Sequence, residues 1–81
     1  MPATSQTLER MTDASRRAAT LTNREREVAV AVGRGASNRQ IADELYMSVA
    51  TVKAHISHIF TKLGVANRVR LAICMHEADL L

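Results

Sequence analysis

Apolar residues recur at helical spacing in two stretches of the chain, on either side of a short polar turn. The first stretch contains Ile41, Ala42 and Leu45, and the second contains Val52, Ile56, Ile59, Phe60 and Leu63. Residues three and four positions apart lie on one face of an α-helix. The pattern therefore predicts two amphipathic helices that share a core and are joined by a tight turn, which is a helix-turn-helix.

Polar residues mark where these two helices begin and end. Ser37 followed by Gln40 matches a capping box, in which the two side chains bond to each other's backbone amides. Ser48 is the natural N-cap of the second helix. Gly64 supplies the left-handed residue that commonly ends a helix. The second helix is therefore predicted to span residues 49–63.

The outward face of the second helix carries short side chains, several of them polar. It contains Ala50, Ala54, Ser57 and Thr61, with Thr51, Lys53 and His58 along its edges. Short side chains let a helix backbone approach DNA bases, and hydrogen-bonding or cationic flanks suit bases and phosphates. A face that is merely solvated usually carries more Glu and Lys, whereas residues 49–63 include no acidic residue. The face therefore favours insertion into the major groove of DNA.

Segments within and around this helix pair form a longer motif, comprising residues 21–28, 35–42, 48–56, 62–65 and 67–68. Together they resemble the LuxR-type (NarL/FixJ) DNA-binding domain, over about residues 21–81. The resemblance implies an all-α fold, a compact four-helix LuxR-type helix-turn-helix domain whose third helix reads the major groove. It also implies a sequence-specific transcriptional regulator that binds double-stranded DNA, as a response regulator output domain or a stand-alone protein.

The same resemblance implies roles for individual residues. Base contacts are implied for Lys53, Ala54 and Ser57, with Ala50 beside them. Phosphate contacts are implied for Arg39, Thr51 and His58. All but one of these residues belong to the predicted second helix of the pair, and Arg39 belongs to the first.

Two other functions share the predicted helix-turn-helix. A sigma-factor region-4-like module also contains Thr51-Val52-Lys53 and recognises promoter DNA as part of RNA polymerase, which is a candidate partner here. Lys62-Leu63-Gly64, followed by Asn67-Arg68 and a further helix, favours the LuxR type. The other alternative is a protein-interaction domain that has lost DNA binding. The basic, acid-free second helix argues against it.

The C-terminal helix is predicted to carry two apolar stripes. Leu71, Ala72 and Met75 form one stripe, while Val69, Ile73 and Cys74 form the other. One stripe is enough to dock a helix onto a small core. Following the family resemblance, we expect a weak homodimer through Arg70, Ile73, Cys74 and Glu77, with Cys74 near the two-fold axis.

Residues 1–20 differ in composition from the rest of the chain, because Thr, Ser, Ala, Gln and Arg dominate. A short helix between Thr7 and Ala18 is consistent with the sequence, but isolated helices of this length are marginal in water. Residues 1–20 are therefore predicted to form a linker or flexible arm that is partly helical. Residues 21–81 are predicted to form the domain. Its first helix opens with a capping box from Thr22 to Glu25 and ends near Arg34.

The overall charge suits a polyanionic partner. The formal net charge is +3 and the pI is about 9.8, values that agree with nucleic-acid binding without proving it. Within the predicted domain the acidic residues gather at Glu25, Glu27, Asp43, Glu44, Glu77 and Asp79. This leaves six basic residues through the middle of the domain, namely Arg34, Arg39, Lys53, Lys62, Arg68 and Arg70.

Several other classes of protein are not supported. The single cysteine excludes an internal disulfide and suits a reducing cytoplasm. His55 and His58 have no third and fourth ligand nearby, so neither metal nor cofactor is predicted. Phosphate-binding glycine loops, paired nucleophiles and carboxylate pairs are missing, so no enzyme activity is expected. No apolar run approaches the roughly 18 residues of a membrane span, and the first twenty residues lack the apolar core of a signal peptide.

Overall fold

Five helices follow one another along the part of the chain that the computed structural model describes, residues 12–81. They are α1 (Asp13–Ala18), α2 (Asn23–Gly33), α3 (Asn38–Leu45), α4 (Val49–Leu63) and α5 (Arg68–Glu77). These residues form no strand. The predicted all-α fold is confirmed, and α2 to α5 correspond to the four helices expected of a LuxR-type domain. No helix between residues 12 and 81 is both long and apolar enough to cross a membrane.

The predicted helix caps of the central pair are present. Ser37 Oγ accepts the Gln40 amide at 3.1 Å, and Gln40 Oε1 accepts the Ser37 amide at 2.8 Å, so this capping box is complete. Ser48 caps α4 by accepting the Thr51 amide at 3.0 Å. Gly64 ends α4 in the left-handed conformation, with φ of 66°. Local hydrogen-bonding chemistry therefore sets both ends of α4, the helix predicted to enter the groove.

The core lies between α2, α3, α4 and α5. Its fully buried large side chains are Val28, Ile41, Val52, Ile59, Leu63, Leu71 and Met75. The predicted inward face of α4 is confirmed at Val52, Ile56, Ile59 and Leu63, whereas Phe60 is only partly buried. This core therefore contains no large aromatic side chain that is fully buried, and it depends on close packing of aliphatic residues.

Helix α1 packs onto the domain within the segment predicted to be a linker or arm. Thr12 caps it, and its Ala14 and Ala18 are buried against a surface formed with α4 and α5. Contacts with these helices stabilise a segment that would be a marginal helix alone. Residues 12–20 therefore include a packed helix. The first part of the helix predicted from Thr7, residues 7–11, lies outside the described residues.

Candidate nucleic-acid interface

The turn between α3 and α4 is held by hydrogen bonds from two sides. Tyr46 adopts the left-handed conformation, with φ of 55°, and the Met47 amide donates to the Ala42 carbonyl at 3.0 Å. From α2, Arg24 donates to the Leu45 carbonyl through Nη2. The direction in which α4 leaves the turn is therefore fixed by α2 as well as by α3.

The side chains predicted to meet DNA are all exposed, namely Arg39, Ala50, Thr51, Lys53, Ala54, Ser57 and His58. All except Arg39 lie on α4, on faces left free by its buried stripe, and Arg39 lies in the first turn of α3. A single helix therefore presents most of the predicted contact residues to solvent. Their contacts with bases or phosphates remain predictions.

Hydrogen bonds and charges differ among these exposed side chains. Thr51 Oγ1 accepts a hydrogen bond from Ser48 Oγ at 2.9 Å, which orients the threonine at the start of α4. Arg39 Nε lies 3.5 Å from Asp43 Oδ1, in a pair whose side chains are 80% and 69% exposed. Such exposed pairs contribute little stability and separate easily. Lys53 belongs to none of the salt bridges found within residues 12–81.

Lys62 has a structural role that the sequence pattern did not reveal. Its Nζ lies 2.6 Å from Oε1 of the buried Glu25, and the same oxygen accepts the Thr22 amide at 2.8 Å. The Lys62 hydrogen bond, followed by the Thr22 bond, lowers the pKa of Glu25 to about 2 despite burial. The C-terminal end of α4 is therefore fastened to the start of α2 by a charged contact.

Two arginines also connect helices. Arg68 donates to Asn38 Oδ1 at 2.7 Å and to the Ala36 carbonyl at 2.9 Å, which links the start of α5 to the start of α3. Arg17 donates from α1 to the Leu63 carbonyl at 3.2 Å. Lys62, Arg68 and Arg17 thus hold the fold together, and Lys53 and Arg39 are the better candidates for binding an anionic partner.

The two histidines of α4 lie in different surroundings. His55 is half-buried and His58 is exposed. Among residues 12–81, no cluster of three or more His, Cys, Asp or Glu side chains is placed to hold a metal ion. His58 therefore stays available at the edge of the exposed face.

Three of the four residues predicted to form the dimer interface on α5 are exposed, and the fourth, Cys74, is buried. Cys74 is only 7% exposed and lies in the core, where burial raises the pKa of its thiol. Helix α1, which sequence reasoning assigned to a linker, packs against this side of α5. Cys74 is therefore not available at a two-fold axis. Arg70, Ile73 and Glu77 are exposed as expected, with Ile73 43% exposed.

Comparison with known proteins agrees with this architecture. Residues 19–75 match the family described as bacterial regulatory proteins, luxR family. The transcriptional regulatory protein LiaR of Bacillus subtilis (strain 168) is 38% identical over 61 residues, which cover 75% of this chain and 29% of LiaR. LnrK, a transcriptional regulatory protein of the same organism, is 47% identical over 53 residues, covering 65% of this chain and 24% of LnrK.

A third relative extends the comparison to another genus. The oxygen regulatory protein NreC of Staphylococcus aureus (strain JH9) is 43% identical over 51 residues, covering 63% of this chain and 24% of NreC. The chain thus spans less than a third of the length of these relatives. The family match covers α2 to α4 and most of α5. The chain belongs to the luxR family of bacterial regulatory proteins, whose members are DNA-binding transcriptional regulators.

Proposed function

We propose that this chain recognises specific sites on double-stranded DNA by inserting the exposed face of α4 into the major groove. The observation that carries the proposal is the division of α4 into two faces. One face is buried in the core, and the other is exposed, acid-free and edged by Lys53 and His58. A helix with these properties fits the width and the chemistry of the major groove.

The proposed base contacts lie in the middle of α4. The Lys53 ammonium group can donate to the O6 and N7 acceptors of guanine. Ala54 offers a methyl group to thymine, and the Ser57 hydroxyl can donate or accept. Ala50 has a side chain short enough for the backbone of α4 to approach the bases. Among these four residues only Lys53 is a charged hydrogen-bond donor, and the other three have short side chains. Lys53 is therefore expected to contribute most to sequence discrimination.

The proposed phosphate contacts flank these residues. Thr51 is oriented by its hydrogen bond with Ser48, and His58 is exposed further along α4. The Arg39 side chain extends into solvent from α3. Its salt bridge with Asp43 is exposed and therefore weak, so Arg39 can leave Asp43 and bind a phosphate at little cost. Phosphate contacts position a protein on the duplex without reading its sequence.

Replacing Lys53 with alanine is expected to weaken binding to the preferred site by about 1–3 kcal/mol, with a smaller loss on random DNA. The matched variant is Arg39→Ala, which should weaken binding to all sequences and flatten the dependence of log K on log salt by about one unit. Fluorescence anisotropy titrations with specific and random duplexes at several salt concentrations measure both effects. Lys53→Ala binding as tightly as the unaltered chain would show that α4 does not read the groove.

We further propose that two copies pair weakly through the exposed part of α5, using Arg70, Ile73 and Glu77. Ile73 is a large apolar side chain left exposed beside charged residues of both signs. A copy related by two-fold symmetry could cover Ile73 and pair Arg70 with the other copy's Glu77. The patch is small, so pairing is expected mainly on DNA that carries two half-sites about 10 bp apart.

The Ile73→Glu variant tests this pairing. A charge at the centre of the patch should abolish the cooperative gain on a duplex with two half-sites. Affinity for a duplex with one half-site should stay unchanged, which controls for damage to the fold or to α4. Electrophoretic mobility shifts with the two duplexes measure both quantities. Cooperative binding that persists in the variant rules out this interface.

The cellular setting follows from the same function. We propose that the chain acts in the cytoplasm, where chromosomal DNA lies, and that it influences transcription through contact with RNA polymerase. Binding, rather than catalysis, is its proposed activity. The alternative of a protein-interaction domain without DNA binding predicts no loss of DNA affinity with rising salt, because it has no such affinity to lose.

A further inference from the structure

Tyr46 is an unusual residue for the place that it occupies. It is the only tyrosine of the chain, which has one phenylalanine and no tryptophan. The phenylalanine, Phe60, packs partly against the core, whereas Tyr46 is 95% exposed in the turn between α3 and α4. The chain has only two aromatic side chains, and one of them, Tyr46, is left in water although burying its ring would stabilise the fold.

The backbone at Tyr46 is also unfavourable for its side chain. Its φ of 55° and ψ of 48° define the left-handed region, which glycine and asparagine adopt more readily than tyrosine. The amides of Tyr46 and Met47 both donate to the Ala42 carbonyl, and Arg24 bonds to the Leu45 carbonyl. The surrounding structure therefore imposes this conformation. Bulky residues kept in such a conformation often have a function at that position.

The neighbours of Tyr46 direct its side chain outward. Leu45 and Met47, on either side of it, are partly buried against the core. Tyr46 thus points away from the domain two residues before Ser48, the cap of α4. Within residues 12–81, the Tyr46 hydroxyl takes part in none of the side-chain hydrogen bonds, so it is free to bind an external group.

The charge distribution around Tyr46 favours an anionic partner. No Asp or Glu occurs between Glu44 and Glu77. Two acidic residues precede Tyr46, but Asp43 lies beside Arg39, and Glu44 lines a cleft between α2 and α3. The chain that follows Tyr46 includes Lys53 and His58, which lie at the edges of the proposed DNA face.

We propose that Tyr46 binds the sugar-phosphate backbone at the edge of the groove that α4 enters. The phenol hydroxyl donates a hydrogen bond to a phosphate oxygen, and the ring lies against the adjacent deoxyribose. The inference rests on the proposed insertion of α4 and adds a contact to it. Because Tyr46 is neutral, its contact adds affinity without releasing a counterion from the DNA.

Two variants separate this role from a structural one. Tyr46→Phe removes only the hydroxyl and is expected to weaken binding about three- to tenfold on both specific and random DNA. Its salt dependence should match that of the unaltered chain, in contrast to Arg39→Ala. Tyr46→Gly relieves the backbone and should raise Tm by about 2–6 °C, yet bind DNA at least as weakly as Tyr46→Phe. A variant that is more stable but binds less tightly identifies a binding role.

Spectroscopy tests the contact directly, because one tyrosine gives one signal. Incorporating 3-fluorotyrosine should produce a single ¹⁹F resonance that shifts and broadens when duplex DNA is added. A resonance that is unchanged at saturation, together with unchanged affinity of both variants, overturns the inference for Tyr46. If Lys53→Ala still weakens binding in that case, the groove insertion of α4 stands. An unaltered chain that binds no duplex DNA overturns both proposals.

Discussion

Replacing Ile59 with alanine is expected to destabilise the domain by about 2–5 kcal/mol. Ile59 is fully buried in α4, and the removal of most of its side chain leaves a cavity in a close-packed aliphatic core. Domains of this kind are stable by only about 5–15 kcal/mol, so the variant loses a large share of its stability. Chemical denaturation followed by circular dichroism measures the free energy of unfolding.

Ile73→Ala is the matched control for this substitution, since it removes the same atoms from a side chain that is 43% exposed. Its effect on the free energy of unfolding should stay near 1 kcal/mol or below. A loss for Ile59→Ala as small as that expected for Ile73→Ala would contradict the orientation of α4, because it would place Ile59 at the surface. The comparison thus tests the packing that exposes Lys53 and Ser57.

A second large effect is expected for Lys62→Met, which keeps the aliphatic stem and removes the ammonium group. Glu25 is then left buried with the Thr22 amide as its remaining partner. We expect a loss of about 1–3 kcal/mol at neutral pH and a higher pKa for Glu25. Thermal unfolding at pH 7 measures the loss, and NMR titration of the carboxyl group measures the pKa.

The pH dependence of stability provides a separate check on the same contact. In the folded chain the pKa of Glu25 is about 2, below its ordinary value of 4.5. A depressed pKa stabilises the fold above the unfolded value, and this contribution is lost as the pH falls from about 4.5 towards 2. Glu25→Gln should lack this part of the pH profile. An identical profile in Glu25→Gln would mean that other carboxylates cause the acid sensitivity.

Local features of the fold were predictable from sequence because their causes are local. The Ser37 and Gln40 capping box depends on residues three positions apart, and Gly64 ends α4 through its own backbone freedom. The inward stripe of α4 follows from helical periodicity. Each of these features requires only the identities of neighbouring residues.

Features that depend on which helices meet were not predictable in the same way. Lys62 and Glu25 are far apart in sequence, and only the packing of α4 against α2 brings them together. Cys74 lies on the second apolar stripe of α5 and is buried in a fold in which α1 packs against α5. Small alanine side chains in α1 gave little hydrophobic signal, although they allow the close approach that buries them.

The candidate site was predicted as a set of exposed positions. Periodicity identified the outward face of α4, and the structure places its predicted contact residues at the surface. Tyr46 was missed because helical periodicity assigns no face to a residue in the turn between two helices. Its exposure follows from the left-handed turn, which the sequence Leu45-Tyr46-Met47 does not reveal.

The double hydrogen bond of Arg68 has a consequence for the geometry of an assembled regulator. It ties the beginning of α5, whose later turns are proposed to meet a second copy, to the beginning of α3, where Arg39 is proposed to meet phosphate. One guanidinium group therefore links the two helices that carry these proposed surfaces. Two paired copies would hold their groove helices at a fixed distance and phase. The protein, rather than the flexibility of DNA, would then decide which operator spacings are accepted.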